Sequence, residues 1–150
     1  MNDSNQTNAS DGWMETYRAV VFPWHCDHLG HLNVRWYGHF FDDAGWHLWL
    51  RIGMSHVTFK ARGVVTVVAS IKTDFHHESG AGDLLLIESA FTRIGGKSLT
   101  MSQRMTNAET GALCATQDVV EVFFSMESRK AAPMPDDIRA KLGAVVIALD

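Results

Sequence analysis

Val34–Arg51, VRWYGHFFDDAGWHLWLR, is the longest periodic stretch of the chain. Arg35, His39, Asp42, Asp43, His47 and Arg51 recur every three to four positions, a polar stripe of helical period. Trp36, Tyr37, Phe40, Phe41, Ala44 and Leu48 fill the other side. The pattern predicts one helix of about 27 Å, opened by Asn33 as N-cap and stopped at Gly53. Trp46, Trp49 and Leu50 break the stripe: at about 100° per residue, Trp46 lies only about 20° from Arg35. A helix end that is apolar all round is covered by something, here a second subunit or a bound ligand.

Around this helix the chain reads as strands. Tyr17–Trp24 is extended, with Pro23 restricting it to an edge or a strand end. In Val65, Val67, Ala69, Ile71 and Phe75 apolar residues alternate, as on a half-buried strand. Leu84–Ile94 is a further strand, Gly95-Gly96 a tight hairpin, and Leu99, Met101 and Met105 alternate with polar residues on the next. Asn107–Gly111 is a turn, Ala112–Ser125 a long last strand. Pro135-Asp136-Asp137 opens a short helix with acidic residues in its first turn. Strands joined by tight turns are antiparallel, so one helix must cover a sheet of about five strands, an α+β layout.

Composition bounds the function. At 150 residues the chain fits one domain, with residues 1–13 read as a disordered polar tail and 14–150 as the folded unit. A content of 46% apolar and 20% charged residues excludes a low-complexity chain. A net charge of −4 argues against a nucleic-acid partner. No apolar stretch approaches the roughly 20 residues of a membrane helix, and the tail lacks the features of a signal peptide, so the expected compartment is the cytoplasm. The triplets at Asn2, Asn5 and Asn8 then carry no glycosylation meaning. Cys26 and Cys114 form neither a disulfide framework nor a four-cysteine metal site.

Chemistry concentrates in His25–Asn33, HCDHLGHLN, the loop before the helix. The first N–H groups of a helix lack internal partners and carry partial positive charge, so they can hold a carbonyl oxygen as negative charge develops on it. A carboxylate beside them can act as nucleophile or as base on water. Asp27 is the only acid in the loop. The alternative for Asp27 is a turn carboxylate, and for His28 and His31 local bonding to the loop backbone. Beside Asp27 the Cys26 thiol is a poor nucleophile. His25, His28 and His31 lack a convincing four-ligand set, so no metal is expected.

Asp27-His28-Leu29-Gly30-His31-Leu32-Asn33 with Tyr37 resembles the D-x-x-G-H-x-N-x-x-x-Y segment of the hotdog-fold acyl-CoA thioesterases, the 4-hydroxybenzoyl-CoA thioesterase and YbgC-like group. Gly82-Asp83-Leu84-Leu85, Gly96-Lys97-Ser98, Thr110-Gly111 and Pro135-Asp136-Asp137-Ile138 extend the likeness over residues 15–142. It implies a hotdog fold, a five-stranded antiparallel sheet wrapped around one long central helix with a short C-terminal helix. It also implies a homodimer with sites at the subunit interface, assembling to a tetramer. The catalytic carboxylate falls on Asp27, with His28, His31 and Asn33 beside it. Gly30 makes the tight turn. The backbone of Asn33, Val34 and Arg35 holds the thioester oxygen, and Tyr37 completes the motif.

Two departures matter. His25 stands where many members carry a second Asp, placing a cation beside Asp27. The phosphate-gripping basic run is reduced to Arg93 and Lys97. Trp46 and Trp49 are expected in a pocket or interface, where indole faces suit an aryl group or a cationic one, and His76 at its rim. The expected activity is hydrolysis of a small or aromatic acyl-CoA, with no cofactor beyond the CoA of the substrate. The rivals are a hotdog hydratase or dehydratase, whose D-x-N-x-x-H arrangement is absent here, and a non-catalytic acyl-CoA-binding module.

Overall fold

A computed structural model describes residues 11–149. Residues 1–10 of the expected tail, with Asn2, Asn5 and Asn8, lie outside the described residues. Of its remainder, Asp11 sits 3.4 Å from the Arg104 guanidinium, which in turn lies 4.3 Å over the Trp13 ring.

The elements follow the order β1 (Met14–Val20), α1 (Val34–Arg51), α2 (His56–Ala61), β2 (Val64–Phe75), β3 (Leu84–Ile94), β4 (Ser98–Asn107), β5 (Leu113–Ser125) and α3 (Asp136–Gly143). The five strands form one antiparallel sheet in the order β1-β3-β4-β5-β2. This is the hotdog arrangement. Where the sequence reads a strand to Trp24, the strand ends at Val20 and Pro23 opens a single 3-10 turn, Pro23–His25. The missing N–H and fixed φ of proline favour that ending.

The helix α2 was not legible by period. It holds six residues, too few to repeat an apolar stripe. Its sign is a capping pair: the Ser55 side chain accepts from Thr58 N–H at 3.4 Å, and the Ser55 N–H donates to Thr58 Oγ1 at 2.7 Å.

Every second residue of the inner strands faces α1. Leu99, Met101, Gln103 and Met105 of β4 are buried on that side, as are Leu85, Ile87, Ser89 and Phe91 of β3. Two apolar clusters result. Tyr37, Phe40, Phe41 and Ala44 pack with Leu85, Ile87, Met105 and Ala115 under the first half of α1. Leu48 and Trp49 pack with Phe91, Met101, Phe123 and the α3 residues Ile138 and Leu142 under the second. A polar seam runs between them: Thr16 meets Ser89, Ser89 donates to Gln103, and Gln103 Nε2 donates to the Phe41 carbonyl at 2.9 Å. These buried groups are thus satisfied, as they must be, and they fix the register of helix on sheet.

The Asn33 cap forms as the sequence implies. Its Oδ1 accepts from Arg35 N–H at 3.1 Å. Asn33→Ala is expected to lower stability by about 1 kcal/mol, a loss of about 3 °C in Tm, read by thermal unfolding.

Candidate active site

The loop before α1 is a tight turn closed by its own acid. The Gly30 N–H donates to the Asp27 carbonyl at 3.0 Å and the Asp27 N–H to the His31 carbonyl at 2.9 Å. Gly30 holds φ +79°, a left-handed conformation that side chains disfavour. Asp27 Oδ1 accepts from the backbone N–H groups of Leu29 (2.9 Å) and His31 (3.3 Å). The turn uses Oδ1 alone: Oδ2 has no protein donor among the described residues, and Asp27 lines a cleft. The neighbouring loop clasps the turn through Leu32 N–H to the Ser79 carbonyl at 2.7 Å and a His31–Gly80 bridge.

Burial acts to raise the Asp27 carboxyl, but the Leu29 and His31 amides and the nearby His28 and His31 outweigh it. The net result is a carboxyl below the ordinary carboxylate range, ionised at neutral pH.

The cleft encloses about 350 Å³ between Asp27, His31, Leu32, Val34, Tyr37 and the segment Phe75–Glu78. The Tyr37 ring meets Phe75 edge-on at 5.0 Å, and burial holds its phenol above the usual value. His31 Nε2 lies 3.1 Å from Glu78 Oε2, and His76 Nε2 lies 3.2 Å from Thr116 Oγ1. Beside these, Ser79 Oγ is buried near the Tyr37 phenol, with no well-formed hydrogen bond among the described residues. The sequence reads Phe75 only as a strand residue and His76-His77-Glu78 as an exposed loop at the rim; Ser79 is the member it gives no sign of, since no spacing ties it to Asp27.

At the helix start the donors are not equivalent. The Arg35 N–H is taken by Asn33 Oδ1, and the Trp36 N–H donates to the Asn33 carbonyl at 2.9 Å. Among the described residues only the Val34 amide in this first turn has no protein acceptor. Of the stretch Asn33–Arg35 expected to hold a thioester oxygen, Val34 alone lines the same cleft as Asp27.

Asp27, His31, Val34, Tyr37 and His76 come together as read from sequence. Asn33 caps the helix, Gly30 shapes the turn, and His28 sits exposed on its outside. His25 does not put a cation beside Asp27. It is buried, its Nδ1 accepts the Phe22 N–H at 2.9 Å, and its ring meets the edges of Trp36 and Phe40. Arg93 and Lys97 also lie elsewhere. They occupy the β3–β4 hairpin, about 30 Å along β3 from the Leu84 end that adjoins the Asp27 loop. One chain cannot bring them to this cleft.

Trp46 and Trp49 line a second, inner cavity of about 140 Å³ between α1 and β2. Trp49 is also core, 3% exposed against Phe59, Phe91 and Phe123. Trp46 is 54% exposed at the mouth. Gly38 lines this inner cavity, and a Cβ there would meet nothing within 4 Å. Glycine inside a helix costs about 1 kcal/mol relative to alanine. Packing does not demand it here. Gly38→Ala is expected to raise stability by about 0.5–1 kcal/mol, measured by denaturant unfolding.

Residues 21–142 match the model of the thioesterase-like superfamily. The chain belongs to this superfamily. The long-chain acyl-CoA thioesterase FadM of Escherichia coli is 28% identical over 123 residues, 82% of this chain and 92% of that protein. Among solved structures, the probable thioesterase YbaW of E. coli superposes with a TM-score of 0.77 at 25% identity, covering 89% of this chain and all of that one (100%). A Staphylococcus aureus protein crystallised in complex with CoA gives a TM-score of 0.81 at 15% identity, covering 92% of this chain and 89% of the other, which shows the shared fold. Within the superfamily match fall both the Asp27 loop and the helix start it abuts.

Proposed function

We propose that this chain hydrolyses an acyl-CoA thioester to the free acid and CoA at the Asp27 cleft. The observation that carries the reading is the joint placement, in one cleft, of a carboxylate oxygen without a protein donor and a helix-start amide without an acceptor. Asp27 Oδ2 either draws the proton from an attacking water or itself adds to the thioester carbon. The carbonyl oxygen, as it becomes negative, takes the Val34 N–H and the positive end of α1. The C–S bond then breaks, and the sulfur leaves as the CoA thiolate, which takes up a proton. Addition by Asp27 gives an anhydride that water cleaves.

The assembly supports the same reading. β2 is twelve residues long, pairs with β5 on one side only, and shows Val67, Val68, Ile71 and Phe75 to solvent. A long apolar edge strand is a template for another chain. Two copies joined through β2 make the homodimer, and a tetramer brings further edges together. Arg93 and Lys97 then grip the CoA phosphates of a neighbouring subunit's site.

The test is release of free thiol from a panel of small, aromatic and long acyl-CoAs. Turnover of some member supports the reading; binding without thiol release, or hydration of crotonyl-CoA instead, overturns it. The low Asp27 pKa sets the acid limb. Because protonation is needed to silence the carboxylate, kcat/KM is expected to hold its plateau as pH falls through the ordinary carboxylate range, and to drop only below it, in a pH–rate profile.

A further inference from the structure

The inner cavity holds two carboxylates and no Lys or Arg to match them. Glu121 of β5 reaches into it, its Oε2 accepting the Trp49 indole N–H at 3.2 Å. Asp42 of α1 lines the same space. No Lys or Arg lines it, and neither carboxylate has an ion-pair partner among the described residues. Among the described residues His56 is the only other titratable side chain on its wall. Burial pushes the Glu121 carboxyl up; hydrogen bonds from Thr66 and Trp49 draw it back, and the charge of Asp42 raises it again. Gln117, 5% exposed, donates through Nε2 to Thr73 at 3.0 Å, which leaves Oε1 as a further acceptor on the cavity wall.

Charges taken out of water are normally paired. Of the two carboxylates only Glu121 is in that position; Asp42 stands exposed beside it, and the complementary cation is left to the occupant. The remaining wall suits a cation as well. Trp46 and Trp49 present indole rings, the best neutral partners for an organic cation, and Phe41 and Phe59 close the apolar floor.

The cavity also lies where an acyl chain would run. Val34, Gly38 and Asp42 share one stripe of α1, four residues apart, so the thioester end and the acidic end are separated by about 12 Å along the helix. Phe75, Ile71 and Val68 follow the same course on β2, with Phe75 at the Asp27 cleft and the other two at the cavity. Gly38, between Val34 and Asp42 on this stripe, adds no side chain to the route.

We propose that the cavity between Asp42 and Glu121 takes an ammonium group carried at the far end of the acyl chain. The route from the Asp27 cleft rests on the thioesterase reading; the cation's place between the carboxylates does not.

Two readouts separate the two. The first is intrinsic tryptophan fluorescence during titration with free ω-trimethylammonio carboxylic acids of increasing chain length. Each is set against its neutral isostere in which carbon replaces nitrogen. Binding at least about tenfold tighter for one cationic acid is expected, with the preference lost in Glu121→Gln and reduced in Asp42→Asn. Asp42 is exposed on the helix surface, so the second variant keeps the fold intact if the first does not. Equal binding of acid and isostere, or no binding of either because a second copy fills the space, overturns the proposal. The second readout is thiol release from the matching CoA thioesters. A kcat/KM ratio of about ten or more in favour of the cationic thioester supports it, and a ratio near unity overturns it. Absence of turnover on every thioester, with selective binding of the cationic acid retained, sinks the hydrolytic reading and leaves the cation site standing.

Discussion

Asp27→Asn is expected to lower kcat for thiol release by about 10²–10⁴-fold, with the fold intact. Asparagine keeps an oxygen at the Oδ1 position, so the Leu29 and His31 amides retain their acceptor and the turn holds. What is lost is the charge and basicity of the second oxygen, the one the turn amides leave free. An amide nitrogen there can neither take a proton from water nor add to a thioester carbon. Steady-state thiol release beside thermal unfolding checks both halves. Asp27→Ala makes the contrast, because it removes the turn acceptor as well and should cost stability. A loss below about tenfold in the asparagine variant, at unchanged Tm, would remove Asp27 from the chemistry.

Val34→Pro is expected to lower kcat by about 10²–10³-fold while leaving α1 in place. Val34 is the first residue of the helix, where proline is well tolerated because its missing N–H had no helical partner. The residue before it is already extended, with Asn33 at φ −68° and ψ 142°, as a residue preceding proline must be. The substitution therefore deletes one donor and little else. If that donor holds the developing oxyanion, kcat falls and KM moves little, since the interaction matters mainly once negative charge has formed. Val34→Ala, which keeps the N–H, is the control and should retain most activity. Circular dichroism verifies the helix. Equal kcat in Val34→Pro and Val34→Ala would place the oxyanion elsewhere.

The sequence carried the architecture because its signals are local. The polar stripe from Arg35 to Arg51, the Asn33 cap and the alternation along β2 and β4 each rest on near neighbours, and each element formed where they place it. The six-residue α2 escaped because one and a half turns cannot show a period. Half of the cleft was legible for the same reason: Asp27, His31, Val34 and Tyr37 lie within one turn-and-helix unit. Phe75, Glu78 and Ser79 arrive from the far end of β2, and only the folded sheet brings them near. His25 misled because a histidine reads as a charge in sequence, whereas here a backbone N–H occupies its Nδ1 and aromatic rings enclose it. Arg93 and Lys97 were grouped with the site on resemblance alone; strand length sets them apart within one chain. The pairing of Asp42 with Glu121 joins a helix to a strand nearly eighty positions later, and no periodicity announces it.

The account turns on where the thioester sits, and a crystal structure of Asp27→Asn with an intact acyl-CoA measures that directly. The carbonyl oxygen should lie within hydrogen-bond distance of the Val34 N–H, with the carbonyl carbon facing the residue 27 side chain and the acyl chain running past Gly38. A thioester carbonyl bound away from the start of α1, with residue 27 closed into its turn and touching no substrate atom, would contradict it.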